Sequence, residues 1–87
     1  MAWTLEYDAV ARRQLRKLAP DTGQRILSGL ERVAATENPR LSGKAMAGKH
    51  AGHWRYRFGD YRVIVRLEDD RMIVVVIAIG HRRDVYR

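Results

Sequence analysis

The chain has 87 residues, so one domain is expected, burying roughly 60% of the surface its unfolded form exposes. So thin a core leaves little room for an enclosed active-site cavity. The absence of Cys excludes disulfides and thiolate metal sites, and no apolar run is long enough to span a membrane. A net charge of +7, from 17 Lys and Arg against 10 Asp and Glu, points to a polyanion: RNA, DNA or an acidic protein.

Fourteen of the 17 basic residues are Arg, which forks onto phosphates and stacks on bases. Solubility charge and a GC-rich genome are the plainer accounts of the same excess. The start, Met1-Ala2-Trp3-Thr4-Leu5, lacks the charged-then-apolar pattern of a secretory signal, so a cytoplasmic location is expected. There is no repeat, low-complexity tract or linker.

Trp3, Leu5 and Tyr7 alternate with Thr4 and Glu6, the pattern of a half-buried strand. Asp8 is placed to cap a helix running from Ala9 to about Leu18. Its apolar stripe is Ala11, Leu15 and Leu18, with Arg12, Arg13, Arg16 and Lys17 on the other faces. Pro20 breaks the chain, and Asp21 or Thr22 caps a second helix. Its stripe is Ile26, Leu27, Leu30, Val33 and Ala34, ending before Asn38-Pro39. So short a connection predicts an antiparallel helix hairpin.

From Arg40 to His53 the periodicity dissolves into a basic loop, with room for a short strand near Ala45-Met46. Trp54 to Phe58 and Tyr61 to Leu67 then alternate around Gly59-Asp60. Gly at the first of two loop positions predicts a type II′ hairpin turn. That register sets Phe58 opposite Tyr61, Arg57 opposite Arg62 and Arg55 opposite Ile64. One face carries Trp54, Tyr56, Phe58, Tyr61, Val63 and Val65. The other carries Arg55, Arg57, Arg62, Ile64 and Arg66. Glu68-Asp69-Asp70 makes a turn. Met72 to Ile79 is apolar on both faces, the mark of a central strand.

The expected fold class is therefore α+β: a single β-α-α-β-β-β domain over residues 1–87. A helix hairpin packs on the aromatic face of an antiparallel sheet, and arginines line the opposite face. Arg57 against Arg62 is a costly like-charge pair unless an anion visits or water solvates it fully. Fixed cations on an open face suit a phosphoryl transition state, whose equatorial oxygens gather negative charge. His50 and His53, at spacing three with no Cys and no nearby carboxylate pair, are weak metal evidence. No metal and no cofactor is expected.

The stretches Asn38-Pro39-Arg40, Gly43-Lys44 and Gly52-His53-Trp54-Arg55-Tyr56-Arg57-Phe58-Gly59-Asp60-Tyr61-Arg62-Val63-Ile64-Val65 resemble the RelE toxin family. So does the ending Gly80-His81-Arg82-Arg83-Asp84-Val85-Tyr86. The element order matches as well. The resemblance implies a bacterial or archaeal toxin that cleaves mRNA in the ribosomal A site without metal, the substrate's own 2′-hydroxyl attacking the adjacent phosphate. It implies working residues at Arg55, Arg57, Arg62, Arg82 and Tyr86, with Arg62 and Arg82 on the scissile phosphate and Tyr86 on a base. The implied partners are a RelB-like antitoxin, mRNA and the ribosome, with operator DNA reached only through the antitoxin complex.

One departure bears on chemistry. Positions that can be Lys in the family are Arg55 and Arg57 here, and Arg keeps its proton at any working pH. His81 is then the candidate for moving a proton, since only His titrates near neutrality unperturbed. Further RNA contacts are expected from Arg66, Lys44 and Lys49, and from the helix residues Arg12, Arg13, Arg16 and Lys17. Two other functions fit the same fold: a ParE-like toxin that inhibits DNA gyrase and cuts no RNA, and a catalytically silent antitoxin-binding module.

Overall fold

The structure is a computed structural model in which residues 2–81 are described. Arg82 and Tyr86 lie outside them. The elements are β1 (Thr4–Tyr7), α1 (Ala9–Arg16), α2 (Pro20–Ala35), β2 (Lys44–Ala45), β3 (Trp54–Phe58), β4 (Tyr61–Glu68) and β5 (Ile73–His81). Two 3₁₀ turns, Pro39–Leu41 and Gly48–His50, flank β2. The α+β order predicted from periodicity is observed.

One five-stranded sheet runs β1-β5-β4-β3-β2. From β2 to β5 every pairing is antiparallel, but β1 lies parallel to β5. The sheet is thus mixed where an antiparallel one was expected. Parallel neighbours need a long crossover, and everything between β1 and β5, both helices included, supplies it.

Asp8 caps α1 as predicted, its Oδ1 accepting from Ala11 N at 2.9 Å. The second helix starts earlier than predicted. Pro20 occupies its first turn, Ala19 stands at the cap position, and no side chain caps it. Proline loses nothing there, because first-turn N–H groups have no helical partner anyway. Asp21 instead lies within the first turn, where its charge favours the helix dipole.

The core is the aromatic face of the sheet under the helices. Ile26, Leu30, Val33 and Ala34 of α2 meet Tyr56, Val63, Val65, Val74, Val76 and Ile79 of the sheet, all nearly or fully buried. Leu27, assigned to the same stripe, is only half-buried. Gly29 is what allows the close approach: a Cβ there would collide with the Phe58 ring. A Cβ at Gly23 of α2 would rest in ordinary contact with Leu15 of α1, where the helices meet.

Candidate functional site

The β3–β4 hairpin has the predicted register: Phe58 pairs with Tyr61, Arg57 with Arg62, and Arg55 with Ile64. Gly59 has φ +62° and Asp60 a negative φ, as a type II′ turn requires. This turn fixes the register, and the register fixes the faces. Tyr56, Val63 and Val65 go to the core, so Arg55, Arg57 and Arg62 are driven to the opposite face.

A second strand brings a fourth cation to them. Lys44 of β2 pairs with Arg55, and Gly43, Lys44, Arg55 and Arg57 line an open cleft of about 300 Å³. The segment leading into β2 is irregular, yet side chains staple it to the sheet. Trp3 Nε1 donates to Glu37 O at 3.1 Å, Tyr56 Oη to Pro39 O at 2.6 Å, and Trp54 Nε1 to Ser42 O at 2.8 Å. Arg40 makes a two-pronged ion pair with Asp69 at 2.8 and 3.0 Å, and its guanidinium lies 5.9 Å from the centre of the Trp54 ring. Burial pushes the Tyr56 hydroxyl up to about 12, so it stays a donor at any physiological pH.

Gly43 closes this arrangement. Its φ is +77°, and a Cβ would run into the carbonyl oxygen of Arg55, Trp54 Nε1 and Tyr56 Cδ1. Only glycine lets the backbone turn this tightly against β3. Its structural role was not read from sequence, although Gly43-Lys44 belonged to the motif. The stapling pattern was invisible there too, because it joins residues far apart in the chain.

The electrostatics divide the arginine face in two. At one end Glu68 accepts from Arg66 at 3.0 Å and from Arg71 at 2.8 Å. The Arg66 and Arg71 guanidiniums hold the Glu68 carboxyl below the usual range. Arg66 thus has its charge answered within the protein. At the hairpin end Arg57 and Arg62 form no ion pair among the described residues. Arg62 is half-buried, and its Nε is fully buried with no hydrogen-bond acceptor among the described residues. Such an orphan donor costs about 1–3 kcal/mol until something accepts from it.

Other expected residues lie elsewhere. His81 pairs with Tyr61 across β4 and β5, and their rings meet edge to face at 5.6 Å. Tyr61 belongs to the helix side, so His81 sits across the sheet from Arg62, apart from the arginine cluster. Strand alternation explains it: Gly80, not His81, is the neighbour of Arg62. Lys49 stands exposed in the 3₁₀ turn Gly48–His50. Arg12, Arg13 and Arg16 line a separate open cleft of about 470 Å³ with Tyr7 and Ala9, at the β1 edge of the sheet. Lys17 follows at the end of α1. His50 and His53 have ring centres 6.5 Å apart, and no group of three metal-ligating side chains exists among the described residues. No helix there is long and apolar enough to cross a membrane.

Comparison with known proteins gives the family. Residues 5–86 match the model of the ParE toxin of type II toxin–antitoxin systems, parDE. The chain is 34% identical to toxin RelG of Mycobacterium tuberculosis, over all of this chain and 99% of that protein. It is 28% identical to the mRNA interferase toxin RelE of Escherichia coli, over 94% and 85% of the two chains. Among solved structures it resembles the toxin–antitoxin complex RelBE2 of M. tuberculosis, with a TM-score of 0.73 and 32% identity over 94% of this chain and 93% of that one. Isolated E. coli RelE shares the fold, with a TM-score of 0.75 and 23% identity over 91% and 83%. With four-fifths or more of both partners covered in each of these matches, the chain belongs to the RelE/ParE superfamily of toxins of type II toxin–antitoxin systems.

Proposed function

We infer that this toxin is a metal-independent endoribonuclease that cleaves mRNA in the ribosomal A site. The observation that carries the reading is the cationic end of the sheet: Lys44, Arg55, Arg57 and Arg62 on one open face, with the Nε of Arg62 buried and without an acceptor among the described residues. An open cleft lined by cations admits a polymer backbone and suits a phosphate. A relative named mRNA interferase toxin supports the same reading.

In the reaction, the 2′-hydroxyl of the substrate gives up its proton to solvent as its oxygen bonds to the adjacent phosphorus. The bond to the 5′-oxygen of the next nucleotide breaks, that oxygen taking a proton from solvent and leaving as a hydroxyl. Negative charge builds on the non-bridging oxygens. Arg62 donates to one of them through its guanidinium, and Arg55 and Arg57 stabilise the remainder. Their work is electrostatic and preorganised, because the strands hold them before substrate arrives. Arg82 joins them on the phosphate and Tyr86 stacks on or orients a base. His81 is left out of the proton transfer because it lies against Tyr61. Arg12, Arg13, Arg16, Lys17, Lys49 and Arg66 supply further phosphate contacts to mRNA and ribosomal RNA, Arg66 the weakest because Glu68 already pairs with it.

The partner that silences the toxin is a RelB-like antitoxin, in line with solved RelBE complexes from M. tuberculosis and E. coli. Its acidic or amphipathic segment covers or displaces Arg62, Arg82 or Tyr86, and operator DNA is reached only through that complex. The family model named for ParE favours one second reading, inhibition of DNA gyrase. Incubation with translating ribosomes and primer extension on the message separates them. Discrete A-site cuts are expected. Intact message together with blocked supercoiling selects the gyrase reading, and neither effect leaves a silent antitoxin-binding module.

A further inference from the structure

β1 pairs with β5 only as far as Tyr7 opposite Val76. Beyond that point residues 77–81 of β5 have no strand on their outer side among the described residues. α1 packs there instead, and the Oε1 of its Gln14 accepts from Ile79 N at 2.6 Å. This side-chain bond stands where a bond from a continuing β1 would have been.

It falls at a sensitive place. Just before Ile79 the β4–β5 ladder slips by one residue: Ile64 pairs with Ala78, but Val65 pairs with Val76. The residues after such a bulge lie one step away from the register an unbulged ladder would give them, and one step flips every side chain to the other face. In the observed register Ile79 pairs with Val63 and Gly80 with Arg62. Without that slip Ile79 would stand beside Arg62 and Gly80 beside Tyr61, and the His81 side chain would turn to the arginine face. Val63 and Ile79 are buried, which favours the observed choice, and Gln14 fixes it by taking an amide hydrogen that only this register presents.

We propose that Gln14 is a positioning residue for the cationic site: its hold on the Ile79 amide sets the end of β5, and through it the Gly80–Arg62 pairing beside the phosphate. The role rests on the RNA-cleaving reading. Gln14 touches no substrate and acts only through β5.

The test compares Gln14→Met, which keeps the bulk and removes the strong acceptor, with Gln14→Glu, which keeps an acceptor at the same reach. Cleavage is measured well below each variant's Tm, alongside the NMR signals of the Ile79 and Gly80 amides and of Arg62 Nε–H. Gln14→Met is expected to lower kcat by about tenfold or more, as small misplacements of a reacting group do, with KM little changed. Its Ile79 amide exchanges faster and its Arg62 signal moves. Gln14→Glu restores all three. If Gln14→Met does not fold, Gln14→Asn, shorter by one methylene, carries the same comparison. An unmoved Arg62 signal overturns the proposal, as does a moved signal with unchanged kcat, which makes Gln14 a purely structural anchor. A wild-type protein that cleaves no RNA overturns the reading of the site instead, and the Arg62 signal tells the two failures apart.

Discussion

Arg57 and Arg62 face each other directly across the β3–β4 hairpin, with no carboxylate paired to either among the described residues. Their neighbours in the strands, Tyr56 and Val63, are buried on the other side. The core therefore holds two like charges together that would otherwise separate. Such a pair costs stability, roughly 0.2–1 kcal/mol in an exposed sheet, and the proposed mechanism uses it as a pre-aimed anion site.

Arg62→Ala is expected to lower cleavage by on the order of 10²-fold or more, as loss of one oxyanion donor does. Stability holds or rises slightly, because the change removes both the like-charge contact and the orphan Nε. Ribosome binding weakens far less, since many other cations share the phosphate contacts. Single-turnover cleavage beside a thermal melt decides it. Wild-type cleavage would remove the arginine face from the mechanism, and an unfolded variant would make Arg62 structural.

Gly43→Ala and Gly48→Ala form an informative pair. Both glycines have positive φ, +77° and +67°, but a Cβ at Gly43 strikes β3 whereas one at Gly48 meets nothing within 4 Å. Gly48→Ala carries only backbone strain, about 1 kcal/mol. Gly43→Ala adds overpacking of about 1–3 kcal/mol and displaces Lys44 from the cleft. Denaturant melts should separate the two, and cleavage should fall with Gly43→Ala alone. Equal melts would mean that β2 does not lie against β3 as closely as described.

Tyr56 makes an alkaline prediction. Its folded pKa is pushed up to about 12, chiefly by burial, from an ordinary 10.0. A raised folded value means stability is fully present below pH 10 and is lost as pH rises from there towards 12. Absorbance titration of phenolate should show Tyr56 ionising late, beside Tyr7, whose hydroxyl burial also raises, and Tyr56→Phe should remove the latest component. That variant also frees the Pro39 carbonyl and should lose about 1 kcal/mol. Tyrosines that all ionise together near pH 10 would contradict the buried bond.

The chemistry leaves a signature in the products. Attack by the 2′-oxygen gives a 2′,3′-cyclic phosphate, or its opened 3′-phosphate, and a 5′-hydroxyl. Cleavage should survive excess chelator provided the ribosomes stay intact. Labelling of the 5′ ends by a kinase without prior phosphatase treatment reads this directly. Products that carry 5′-phosphates would point to activated water and refute the mechanism.

Much of this molecule is local, and what is local was legible in the sequence. The Asp8 cap, the alternation of β3 and β4 and the Gly59 turn depend on residues a few positions apart, so period and turn chemistry settle the hairpin register and place Arg55, Arg57 and Arg62 on one face. The start of α2 was misjudged by one local rule outweighing another: Pro20 ends helices from within but begins them without cost.

What the sequence left undecided depends on partners far apart in the chain. The parallel seating of β1 beside β5 follows from the crossover through both helices, and nothing in the five letters around Leu5 specifies it. The bulge in β5 decides which face His81 takes. A continuous apolar strand has no alternation from which to read a face, so the histidine looked like a member of the arginine site until the tertiary pairing set it against Tyr61. The same holds for charge: Arg66 and Arg62 are equivalent in the strand pattern, and only the fold brings Glu68 to one of them and leaves the other's Nε buried without an acceptor.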